Sequence, residues 1–141
     1  MIYVGTSGFS YSEWKRVFYP DKLPEEDYLN FYSQHLSTTE INNTFYRFPS
    51  ETTTSGWAQK VPDSFRFSVK LNRRITHKKL LREVDEEMGW FLKGTEAPGP
   101  KLGCLLVQLP PYAQKSLPVL ETFLRTYGQQ HHLALEFRHA S

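Results

Sequence analysis

Residues 38–49 read TTEINNTFYRFP. Thr39, Ile41, Thr44, Phe45 and Tyr46 are strand formers, yet Glu40, Asn42 and Asn43 stand among them. A buried charge is costly unless it is paired or used. The stretch therefore reads as a strand over 38–46 whose polar residues mark the location of a site.

The neighbouring segments show what kind of sheet that strand joins. Further strands are expected at IYVGT (2–6), FRFSVK (65–70), LGCLLVQL (102–109) and HLALEF (132–137). The gaps between successive candidates are too long for hairpins and long enough for crossover helices. Helical patterns fill them. LPEEDYLNFYSQHL carries Leu23, Tyr28, Phe31, Tyr32 and Leu36 on one rough stripe, with its acids in the first turn. SETTTSGWAQKV begins with Ser50 as a cap, although its threonines and Gly56 make it a weak helix. HKKLLREVDEEMGWFLKG, residues 77–94, is the strongest helical pattern and ends at Gly94. SLPVLETFLRTYG starts from Ser116, has Pro118 in its first turn and stops at Gly128. Strand alternating with helix predicts an α/β fold with a parallel sheet. No repeat, low-complexity tract or internal domain boundary is visible, so residues 1–141 read as a single domain.

Period-two reading separates two faces. Phe67, Val69 and Leu71, then Leu105, Val107 and Leu109, then Leu133, Leu135 and Phe137 form an apolar face suited to helices. The opposite face ends in a polar group on each strand: Glu40 and Asn42, Lys70, Gln108, then Glu136 and Arg138. Parallel α/β sheets bind ligands beyond the carboxyl ends of their strands. Glu40 thus belongs to a polar ring.

Composition sets the outer bounds. At 141 residues, with 39% hydrophobic and 15% aromatic content, the chain can build one real core. A net charge of +2 is too small to imply nucleic acid or an anionic membrane by itself. Cys104 is the sole cysteine and lies in an apolar run, which fits a reducing compartment. The start MIYVGTSG lacks a basic segment followed by an apolar one, and no run of about 18 apolar residues occurs. A soluble cytoplasmic protein with no membrane partner is expected.

GTSGFSYSEW, VFYP, EINNTFYRFP, Trp57, FRFSVK, ITH at 75–77, VQLPP and EFRHAS occur in the order seen in the YecE-like family, domain of unknown function 72. The chain resembles that family over essentially its whole length. The resemblance implies a fold similar to a TIM barrel and brings no reaction with it. Family members run to roughly 250 residues, the usual size of a (β/α)₈ barrel. Five strands and four helices would be a partial barrel with about three βα units absent and its strand edges open. A shortened form, a piece of a longer chain or a protein completed by another chain would each account for this, with self-association through the open sheet as one partner expectation.

Chemistry is assigned residue by residue. Glu40 and Glu136 are candidate acid and base, their pKa values separable by environment; the alternative is structural ion pairing, Glu136 with Arg138 and Glu40 with Lys70. His77, after strand three, is the third catalytic candidate. Lys70 and Arg138 are candidate binders of an anion, and Asn42 and Gln108 would orient it. Tyr11 and Tyr46 are the aromatic residues expected at the mouth. The turn GTSGFSY matches no phosphate-binding motif. Glu40, His77 and Glu136 have no metal-ligand spacing, so no metal or cofactor is assigned. The favoured reading is an enzyme acting on a small polar or anionic molecule, sugar-like or phosphorylated. A rival uses Arg73, Arg74, Lys78, Lys79 and Arg82 to bind or process nucleic acid; the other reading of this stretch is a solvated helix start balanced by EVDEE just downstream. A third is an inactive fragment that depends on assembly.

Overall fold

The computed structural model describes residues 2–141. Five strands, β1 (Gly5–Ser7), β2 (Thr38–Ile41), β3 (Arg66–Lys70), β4 (Leu102–Gln108) and β5 (Leu133–Glu136), form one sheet in the order β1-β2-β3-β4-β5. Every pairing is parallel. The crossovers carry α1 (Tyr28–Ser33), α2 (Glu51–Gln59), α3 (Asp85–Gly94) and α4 (Leu117–Tyr127). Sequential order in a parallel sheet is the arrangement of a (β/α) barrel wall.

The two faces expected from alternation are present, except that Phe137, expected on the apolar face, lies past the end of β5 and is mostly exposed. Phe67, Val69, Leu71, Leu105 and Val107 are fully buried, and Tyr28, Tyr32, Met88, Phe91 and Phe123 join them in one core. Thr38, Glu40, Ser68, Lys70, Cys104, Leu106, Ala134 and Glu136, on the other face, are all half-buried. That face is the inner surface of the barrel wall, and its upper rim carries the polar ring.

Three sequence expectations need correction. The strand expected over 38–46 stops at Ile41, and Asn43–Phe45 forms a 3₁₀ turn. Thr44 drives the break: its Oγ1 donates to the Ile41 carbonyl at 3.2 Å and to the Lys70 carbonyl at 2.7 Å. The first strand is Gly5–Ser7, not 2–6, because residues 38–40 pair with 5–7.

The helix expected over 77–94 begins only at Asp85. Arg74–Lys78 is a π-helical turn, closed by the Lys79 amide on the Arg74 carbonyl. Leu80, Leu81 and Glu83 then adopt positive φ, which no helix tolerates. Lys79 holds this loop by donating to the Glu83 carbonyl and to Glu87 Oε2 at 2.8 and 2.9 Å. Ser50 caps α2 as expected, accepting from the Thr53 amide. Ser116 occupies the N-cap of α4 but makes no side-chain cap bond. No helix among the described residues is long and apolar enough to cross a membrane.

Candidate functional site

Strand register sets the rim. Ser7 lies opposite Glu40, Glu40 opposite Ser68, Lys70 opposite Leu106, and Gln108 opposite Glu136. Two hydrogen-bonded groups result. On the β1–β2 side, Ser7 Oγ donates to Glu40 Oε1 at 2.9 Å and accepts from Asn42 Nδ2 at 2.9 Å. On the β4–β5 side, Gln108 Nε2 donates to Glu136 Oε2 at 2.7 Å, and Arg138 Nε donates to Oε1 at 2.8 Å.

Glu40 and Glu136 share the inner face but are separated by three strand spacings, roughly 14 Å along the sheet. They do not contact each other. Hydrogen bonds from Gln108 and Arg138 hold the Glu136 carboxyl below its ordinary pKa, against the opposing effect of burial. The ion pair of Glu136 with Arg138 anticipated as the structural alternative is formed. The corresponding pair of Glu40 with Lys70 is not: among the described residues no carboxylate lies within salt-bridge range of the Lys70 ammonium. It rests over the Phe45 ring, 4.8 Å from the centroid.

His77 is half-buried beside this cation. Its ring meets Phe45 edge-on at 4.8 Å, and its Nδ1 shares a hydrogen bond with Thr76 Oγ1 at 2.9 Å. Tyr112 donates to its carbonyl at 3.0 Å. Burial, then the charges of Lys70, Arg138 and Arg73, hold its pKa below the ordinary imidazole value. The imidazole is therefore neutral at physiological pH, facing a positive field.

The two tyrosines sit differently from the expectation. Tyr11 packs on Trp14 with ring centroids 4.9 Å apart, and its hydroxyl donates to the Ser7 carbonyl. It braces the turn after β1 and is two-fifths exposed. Gly8 is required there, since its φ is +85° and a Cβ would lie 2.6 Å from the Tyr11 hydroxyl. Tyr46 is mostly exposed and lines a cleft beside α2 with Phe48, Ser50 and Trp57. The aromatic ring at the rim is Phe45.

The basic stretch 73–82 is partly consumed by the fold. Glu87, 1% exposed, accepts from Lys79 at 2.9 Å and pairs with Arg74 at 3.5 Å. Arg74 also lies over Trp90 at 5.5 Å. No three metal-ligating side chains converge among the described residues.

The profile of the family described as protein of unknown function DUF72 matches residues 3–141. The chain belongs to the DUF72 family. It is 29% identical over 140 residues to UPF0759 protein YecE of Escherichia coli K12, covering 99% of this chain and 49% of that protein. A solved DUF72 family protein from Thermotoga maritima MSB8 superposes with a TM-score of 0.78 at 32% identity, over 97% of this chain and 55% of the other. A DUF72 family protein from Enterococcus faecalis V583 gives 0.75 at 23% identity, over 96% and 50%, a likeness that bears on fold alone. The DUF72 chain thus spans about half the length of the relatives it matches, and its parallel five-stranded sheet is the corresponding part of a TIM-barrel-like fold.

Three residues that build or support the rim of this DUF72 chain escape a strand-by-strand reading. Ser7 was read as part of a turn, although alternation from Gly5 puts it on the inner face once the strand is shifted. Phe45 stands in the sequence only as a strand former. Asn72 is buried and ties the turn after β2 to the loop after β3, donating to the Thr44 carbonyl at 2.9 Å and accepting from the Arg74 amide at 3.0 Å. No local pattern signals that bond.

Proposed function

We propose that the rim of this sheet holds a small anionic molecule, phosphorylated or carboxylated, and moves a proton on it. The observation that carries the proposal is Lys70: a half-buried residue whose ammonium lies over an aromatic ring and has no carboxylate partner among the described residues. A cation held in this way is repaid when an anion supplies the missing charge. Lys70 and Arg138 stand near enough to His77 for their charges to be felt at its imidazole.

The roles follow from the local environments. His77, neutral and next to positive charge, is suited to accept a proton or donate a hydrogen bond without competing for the anion. Glu40 Oε2 has no partner among the described residues, which makes Glu40 the second proton-transfer candidate. Glu136, kept ionised by two donors, orients Arg138. The reading is tested by calorimetric titration with inorganic phosphate. Binding that drops at least tenfold in Lys70→Met and is unchanged in Lys78→Met supports it. Phosphate binding that is absent, or is indifferent to Lys70, refutes it.

A nucleic-acid role would have to rely on Arg73, Lys78 and Arg82, because Arg74 and Lys79 are engaged with Glu87. Duplex binding that falls steeply with salt and with Arg73→Ala would favour that reading instead.

A further inference from the structure

The hydrogen bonds of Ser7, Glu40 and Asn42 leave an unequal set of free atoms. Ser7 spends its proton on Glu40, and Asn42 spends one amide hydrogen on Ser7. Glu40 Oε2 and Asn42 Oδ1 accept from no described residue. Among the described residues no buried side-chain N or O atom lacks a partner, so these two oxygens reach solvent. The β1–β2 side of the rim therefore presents two free acceptor oxygens, one of them a carboxylate, beside the second amide hydrogen of Asn42, and the adjoining β3 side presents a cation. Glu40 and Lys70 lie on neighbouring strands, with Lys70 one inward position beyond the residue paired to Glu40. Their backbones are on the order of 8 Å apart from strand spacing and rise.

Acceptors select donors. A ligand that satisfies both sides carries an anionic group at one end and hydroxyl donors at the other. We infer that the molecule held at this rim is an anionic polyol, a sugar phosphate or sugar acid, with its charged group on Lys70 and its hydroxyls on Glu40 Oε2 and Asn42 Oδ1, Ser7 acting as the positioning residue that orders both. This rests on the proposed anion site and extends it to the β1–β2 side. Asn42 offers Oδ1 as the hydroxyl acceptor in this arrangement, because the bond from its Nδ2 to Ser7 fixes the orientation of the amide, and the second amide hydrogen remains able to donate to a hydroxyl oxygen.

The experiment compares three probes by calorimetry on the purified protein: inorganic phosphate, glucose 6-phosphate and phosphoethanolamine. Glucose 6-phosphate is expected to bind about tenfold more tightly than phosphate. Asn42→Ala and Ser7→Ala are expected to remove a three- to tenfold part of that advantage, read within each variant as the ratio of glucose 6-phosphate to phosphate affinity. Both residues are at least partly exposed, so circular dichroism and melting temperature should stay as in the parent. Equal affinity for phosphate and glucose 6-phosphate overturns the polyol inference while leaving the anion site intact. Phosphoethanolamine binding as tightly as the sugar phosphate also overturns it, since Glu40 would then be pairing with an ammonium. Loss of all three overturns the anion site as well.

Discussion

Asn72 and Thr44 lock two loops together: Asn72 Nδ2 donates to the Thr44 carbonyl at 2.9 Å, and Thr44 Oγ1 donates to the Lys70 carbonyl at 2.7 Å. The pair joins the turn that carries Phe45 to the strand that carries Lys70. Ammonium and ring are held in contact by a backbone-directed amide and hydroxyl that touch neither of them.

Asn72→Ala is therefore expected to destabilise the fold by about 1–3 kcal/mol, the cost of leaving the Thr44 carbonyl and the Arg74 amide without a buried partner. Chemical denaturation measures this. Phosphate affinity should fall in the same variant although Asn72 is not at the rim. A variant as stable as the parent would mean that Thr44 alone sets the turn.

Glu87 shows the opposite economy, a buried carboxylate satisfied by two partly exposed cations. The hydrogen bond from Lys79 is the main cause of its lowered pKa, and burial opposes it. A depressed carboxyl contributes stability that is complete above its ordinary value near 4.5 and is lost as pH falls through the lower folded value. Glu87→Gln should lose about 1.5–3 kcal/mol at neutral pH and flatten this part of the acid limb of the stability profile. An unchanged acid limb in the variant would show that Glu87 does not drive it.

His77 has the same direction of shift with the charge reversed. Its folded pKa lies below the ordinary value of 6.5, so the unfolded chain binds more protons between the two. Its contribution is complete above about pH 6.5 and is lost as pH falls toward the folded value. An anion on Lys70 would cancel part of the positive field and raise that pKa. Proton NMR of the imidazole should show the titration moving upward on adding phosphate, and calorimetry near pH 6 should show proton uptake that vanishes in His77→Gln. A titration midpoint that ignores phosphate would place the anion elsewhere.

Legibility followed the range of the forces involved. Alternation along 66–70 and 102–108 depends on neighbours two residues apart, so the buried face and the inner face of the sheet could be read directly. The polar residue at the end of each strand was legible for the same reason. The stretch 77–84 was not. Its leucines and charges satisfy helical spacing, but Leu80, Leu81 and Glu83 turn to positive φ, and Lys79 reaches the Glu83 carbonyl and the carboxylate of Glu87 eight residues on, a partner that a helix would not place beside it. Position near a loop end points to Tyr46 at the mouth, whereas the Thr44 bond to Lys70 turns the chain after Ile41 and brings Phe45 against the ammonium.

The sequence by itself determined a parallel α/β sheet with one apolar and one polar-tipped face, since both follow from side-chain period and segment spacing. Only the tertiary structure decided which polar groups are satisfied and which are not. Glu136 met Gln108 and Arg138, Glu40 met Ser7, and Lys70 met an aromatic ring instead of a carboxylate. Those partners come from strands and loops far apart in the chain, and register brings them together.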